Sequence, residues 1–204
     1  MLTPLEDAIR SVIFLSWPMV VVCSLTLVAI RIVYLLKNKE PLVLYKELFT
    51  LGFLIYILCL FQIVTFQDLP SMGGSNFIPF REILRYSVGS RLFFKQVIGN
   101  LLLFVPYGFF VSYYIKPLKP WVVMFLGLIS SLSIEITQAL IGRIFDIDDL
   151  ILNIMGCLIG FLLYYIARKT YTLIPKFLTT KWILNIISLV LLGVFMWYIC
   201  GVVL

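Results

Sequence analysis

The chain has 204 residues, of which 62% are hydrophobic and only 13% charged, with a mean hydropathy of +1.09. A soluble domain is nearer ~45–50% apolar and ~25% charged, so these figures exclude a soluble globular fold and indicate an integral membrane protein. The net charge of +6 fits basic loops beside a membrane rather than a nucleic-acid partner, and the absence of histidine removes His-based zinc sites, Ser–His or Cys–His catalysis and ordinary haem ligation.

A helix needs about 20 apolar residues to cross the hydrocarbon core. Six segments meet that length: 11–36, 43–66, 97–115, 121–141, 149–167 and 182–204. The expected fold is therefore all-α, a polytopic transmembrane helical bundle of about six spans in one membrane domain, 1–204. The first run follows Arg10. It is far longer than the apolar region of a cleavable signal and has no small-residue cleavage site, so it reads as a retained span. "KNKEP" (37–41) turns the chain into the second span.

The long connection, 67–96, combines bases with aromatics in "FREILRY" and "RLFFKQ". Such a segment lies in the headgroup plane and can lid a site; an ordinary juxtamembrane anchor is the plainer alternative. "PSMGGSN" within it reads as a turn. The third span, "GNLLLFVPYGFF" (99–110), carries Asn100 near one end and Pro106 and Gly108 deeper. Proline frees a backbone carbonyl and kinks a helix; packing alone would also account for it.

After "KPLKP" (116–120), the fourth span holds Glu135, six residues before Ile141. That is about 9 Å inside the helix end at about 1.5 Å per residue, too deep for a glutamate to reach water easily. Ser131 and Gln138 lie on its face at i−4 and i+3. Gly142 ends the helix. Arg143 either snorkels or folds back toward Glu135, where it would keep that carboxylate ionised. Asp146, Asp148 and Asp149 then form an acidic turn, with Asp148 or Asp149 the expected N-cap of the fifth span.

On that span Asp149, Asn153, Gly156 and Gly160 make one stripe, polar at one end and small at the other. The GxxxG spacing lets backbones approach closely. The stripe is expected to face the fourth span, with Asn153 bonded to Glu135 or Gln138. The four cysteines, Cys23, Cys59, Cys157 and Cys200, are isolated in apolar runs and read as small hydrophobes.

Six spans put both termini on one membrane side. Arg10, Arg81, Arg85, Arg91, Lys95 and Arg143 fall on that side, against ten bases in the opposite loops, Lys37, Lys39, Lys116, Lys119, Lys176 and Lys181 among them. The positive-inside rule makes the ten-base side cytoplasmic, so both termini, Ser75 with the rest of 67–96, and 142–148 are expected outside. The third, fourth and fifth spans then bring Asn100, Glu135, Gln138, Arg143, Asp149 and Asn153 to one depth in the outer half of the membrane. Ionisable residues at that depth are functional-site candidates, with a purely structural polar network as the alternative.

The string "NLLLFVPYG … EITQ … GRIFDIDDLILNIMGCLIG", with "NFIPF" (76–80) upstream, resembles the VanZ-like family of bacterial membrane proteins over about 76–165. The matched polar positions are Asn100, Glu135, Gln138, Arg143, Asp146, Asp149, Asn153 and Gly156. The resemblance implies a protein of the bacterial cytoplasmic membrane and, through the founding case, an association with low-level resistance to the glycopeptide teicoplanin. It implies a site and a context rather than a reaction.

Three readings follow. In the first, an outer-leaflet pocket binds a lipid-linked cell-wall precursor or a lipoglycopeptide. Arg143 pairs with phosphate, and Asn100, Gln138 and Asn153 hydrogen-bond sugar or peptide. In the second, an intramembrane enzyme modifies such a lipid with Glu135 as general base and Arg143 stabilising developing negative charge. Asp146 and Asp149 are its weak candidates for holding a divalent cation. In the third, the protein transports an ion or small molecule. No cofactor is expected, and the partner common to all three is the bilayer itself.

Overall fold

The computed structural model describes residues 4–66, 76–175 and 179–203. Within them the chain is helical: α1 (Pro4–Asn38), α2 (Leu44–Phe66), the short α3 (Arg81–Arg85) and α4 (Arg91–Phe93), a π-helical turn (Phe94–Ile98), α5 (Gly99–Ile115), α6 (Pro120–Leu140), α7 (Ile147–Tyr171) and α8 (Lys181–Val203). Among the described residues there is no strand, only an isolated parallel bridge between Asn76 and Asp146. The all-α expectation holds. Among the described residues, five segments are long and apolar enough to cross a membrane: Trp17–Asn38, Leu44–Gln62, Arg91–Ile115, Pro120–Leu140 and Ile147–Tyr171. The sixth expected span corresponds to α8, whose stretch Lys181–Val194 is apolar. Ser75 and Lys176, both assigned a side above, lie outside the described residues.

The chain divides into two compact units, residues 1–63 with 174–204, and residues 64–173. In the first, Arg31 donates two hydrogen bonds to the Glu47 carboxylate, at 2.8 and 2.9 Å. Its guanidinium also lies 5.1 Å from the Tyr34 ring centroid. The Tyr45 N–H, in the first turn of α2, donates to Asn185 Oδ1 of α8 at 3.0 Å, which satisfies one of the amides that a helix start leaves without an intrahelical partner.

The second unit is built on α5, α6 and α7, and its tightest contact is between α5 and α7. A side chain at Gly156 would strike the Leu101 carbonyl, one at Gly160 the Val105 carbonyl, and one at Gly108 the Cys157 carbonyl. The two backbones therefore touch through glycines contributed by both helices, the arrangement that lets helices pack without an apolar driving force between them in lipid. Cys157 is fully buried and also reaches α6, where its Sγ occupies the space a Gly127 side chain would need. Tyr107 Oη and Ser130 Oγ add a 2.6 Å hydrogen bond between α5 and α6.

Helix ends follow local chemistry. Pro120 opens α6 at a position that needs no N–H. At its other end Gly142 takes φ +85°, a value that glycine adopts without strain. The Gly142 N–H donates to the Ala139 carbonyl at 3.1 Å and the Arg143 N–H to the Gln138 carbonyl at 2.9 Å. This is the paired closure of a helix ended by a left-handed residue. It turns the chain back over the end of the unit. α5 runs on through Pro106, and the π turn that precedes it carries the helical path back to Arg91.

Candidate functional site

The turn after Gly142 meets a segment from far upstream. The Asn76 N–H donates to the Phe145 carbonyl at 2.8 Å, and the Ile147 N–H donates to the Asn76 carbonyl at 3.1 Å. The Asn76 side-chain amide donates to Asp146 Oδ1 at 2.9 Å, while its own Oδ1 accepts from the Ile78 N–H at 3.1 Å. Asp146 Oδ1 also accepts the Asp148 N–H at 2.9 Å and so caps α7. Burial raises the Asp146 carboxyl above its ordinary range, and the Asp148 N–H and the Asn76 amide pull it back.

Asp148 is turned the other way. It is almost fully buried, and its carboxylate accepts the N–H groups of Phe80, Glu82 and Ile83 at 2.5, 2.7 and 3.2 Å. These amides open α3, where no intrahelical acceptor is available. The expectation that Asp148 or Asp149 caps the fifth span is thus corrected. Asp146 caps α7, because only a residue before the first turn has the extended backbone a cap needs, and Asp148 instead closes a different helix.

Beneath this clasp lies the intramembrane cluster. Glu135, 1% exposed, accepts the Asp146 N–H at 3.0 Å through Oε2. The loop thus reaches down to the acid that seemed too deep to reach the surface. The Asn100 amide donates to Asp149 Oδ1, which joins α5 to α7. The Asn153 amide donates to Ser131 Oγ at 2.8 Å, which joins α7 to α6. Gln138 is buried on the Glu135 face. The Arg143 guanidinium is an attractive charge for both Glu135 and Asp149.

The VanZ/LLP1 family model matches residues 48–168. The chain belongs to the VanZ/LLP1 family. No curated protein and no solved structure matches it. The matched region of this VanZ/LLP1 protein takes in the whole of α5, α6 and the turn to α7, and with them every polar position named from the sequence. It is a multi-pass membrane protein.

Two expectations about α7 need correction. Asn153 does face α6, but its partner is Ser131 rather than Glu135 or Gln138. Its amide meets α6 one turn deeper than Glu135, whose carboxylate is taken by the loop. Gly156 and Gly160 pack on α5, not on α6. Positions i, i+4, i+7 and i+11 stay within about 60° of arc at about 3.6 residues per turn, so the spacing defines one stripe but not which neighbouring helix it faces.

Asn76 and Asp148 are not among the site candidates named from the sequence, where Ser131 enters only as sharing the face of Glu135. Asn76 had no periodicity to mark it, since its partners lie 70 residues away. Asp148 was one of three acids in a turn, with nothing local to distinguish it. Asp146 and Asp149, the weak metal candidates, are engaged by Asn76 and the Asp148 N–H and by Asn100. Among the described residues no group of three acidic or sulfur ligands is arranged to hold a metal ion.

Proposed function

We propose that this VanZ/LLP1 protein binds the polar head of a lipid-linked cell-envelope precursor or lipoglycopeptide, in the outer leaflet of a bacterial cytoplasmic membrane, and thereby contributes to glycopeptide (teicoplanin) resistance. The observation that carries the reading is the group formed by Asn100, Asp149, Glu135, Gln138 and Arg143 at one end of three apolar helices. Polar side chains at membrane depth are costly and mark sites. Asp146 and Asp148 also hold the loop, and Asn153 joins α7 to α6. Arg143 has the planar fork that suits phosphate, and the amides of Asn100 and Gln138 suit sugar or peptide.

Native mass spectrometry of gently extracted protein tests this. Wild type should carry phosphate-containing envelope lipid, and Arg143→Gln should lose most of it, on the order of tenfold for one charge-assisted bond of about 1.5 kcal/mol. Protein that carries no such lipid, and takes up none when it is added, would sink the proposal.

Glu135→Gln separates binding from catalysis. The substituted amide keeps an oxygen that can accept the Asp146 N–H, so lipid occupancy should stay within about twofold of wild type. Retained occupancy with lost resistance would instead support the intramembrane enzyme with Glu135 as its base, because an amide cannot take a proton.

The orientation is proposed from the ten-to-six division of bases between the loops. A cysteine at Ser87, an exposed position, in a cysteine-free background should react with an impermeant maleimide on intact cells. Labelling that needs permeabilised cells would reverse the orientation and move the site to the inner leaflet.

A further inference from the structure

We infer that residues 77–91 form a shelf in the headgroup layer that selects anionic phospholipid. The backbone of this segment is clasped on its inner side: Asp148 takes three of its N–H groups, and Asn76 is bonded to Phe145, Asp146 and Ile147. The clasp is tight enough to hold Phe80 at φ +65°, a left-handed conformation uncommon for a bulky residue.

With the backbone held inward, large apolar side chains are left exposed, although Phe77 also stacks on Phe145 with ring centroids 5.3 Å apart. Phe77 is 68% exposed, Leu84 81% and Val88 87%. In water a run of such exposure is unfavourable. The clasp sits at the first residue of α7, and the segment leads directly into the candidate span Arg91–Ile115. It therefore runs between two span ends on one face of the membrane, at the depth where apolar residues enter the acyl boundary and bases meet headgroups.

The charge on the segment chooses among lipids. Residues 77–91 hold three bases, Arg81, Arg85 and Arg91, and one acid, Glu82, a net of 3 − 1 = +2. Arg81 and Arg91 are exposed, and the Arg85 side chain is 70% exposed even though it pairs with Glu82 at 3.1 Å. Each base near an anionic surface favours it by about fivefold. A soluble anion would gain nothing from Phe77, Leu84 or Val88, so the occupant is a phospholipid in the bilayer. This selection requires no ligand at the intramembrane cluster.

The test uses the full chain, cysteine-free except for Ser87→Cys carrying an environment-sensitive fluorophore, in phosphatidylcholine–phosphatidylglycerol vesicles of fixed composition. Bromine is placed on one lipid or the other at equal mole fraction. Brominated phosphatidylglycerol should quench several-fold more than brominated phosphatidylcholine. The preference should disappear in Arg81→Gln/Arg85→Gln/Arg91→Gln, persist in the corresponding triple lysine variant, weaken at high salt, and be unaffected by inorganic phosphate. All three arginines are exposed, so folding should be retained, and a matching thermal transition checks it. Equal quenching by both lipids, quenching by neither, a preference that survives the glutamine variant, or one lost in the lysine variant would each overturn the inference.

Discussion

Asp148→Ala is expected to free the segment around α3 from the start of α7. One buried carboxylate accepts three N–H groups, from Phe80, Glu82 and Ile83. Hydrogen bonds to a charged group contribute about 1.5–3 kcal/mol each, but released amides recover part of that from water, so the local cost should be about 3 kcal/mol. Hydrogen exchange reads it directly: protection of those three amides should fall by about 100-fold, since about 1.4 kcal/mol is a factor of ten. Asp148→Asn keeps one acceptor oxygen without the charge and should fall between. Asp146→Ala removes the cap of α7 and the Asn76 bond together. It should cost about 1–2 kcal/mol and lower protection at Ile147 and Asp148 rather than within α3. If exchange at Phe80, Glu82 and Ile83 is unchanged in Asp148→Ala, the clasp is not what orders the segment.

The parts of this fold that were legible from the sequence are those governed by local rules. Bilayer thickness sets the length of an apolar run, so the spans could be placed from composition. Proline and glycine mark helix ends through their own backbone geometry, and Pro120 and Gly142 stand where that geometry requires them. The depth of Glu135 was countable along one helix. Pairings between helices were not legible in the same way. Whether Asn153 meets Ser131 or Glu135 depends on the relative height and rotation of α6 and α7, and neither follows from spacing. The clasp is further removed still. Asn76 and Asp146 stand 70 residues apart, and their partnership exists only because the closure at Gly142 turns the chain back over the unit. An acid in a turn and an asparagine beside an apolar pair carry no sign of each other until both are placed.

Gly156→Leu should be among the most damaging substitutions in the spans. A Cβ there meets the Leu101 carbonyl and comes to 3.0 Å from Phe104 Cβ; at Gly160 it meets the Val105 carbonyl and lies 2.6 Å from the Phe109 nitrogen. These obstacles are mostly backbone, which cannot rotate aside, so α5 and α7 must separate. Overpacking a core costs about 1–3 kcal/mol, occasionally more, and a leucine at either glycine belongs at the upper end. Separation would also stretch the Asn100–Asp149 bond, which links the same two helices near the cluster. Ligand occupancy should therefore fall together with thermal stability, although the protein still inserts. Leu158→Ala, at a half-buried position outside this contact, leaves the two backbones where they are and should cost less than Gly156→Leu. Gly127 supplies the control. There the obstacle is the Cys157 side chain, with its Cβ at 3.2 Å, so the loss from Gly127→Ala should be relieved in part by Cys157→Gly. No truncation on α6 should relieve Gly156→Leu. If trimming Ser131 or Ile134 restores it, the glycine stripe faces α6 after all, and the close approach of α5 to α7 fails with it.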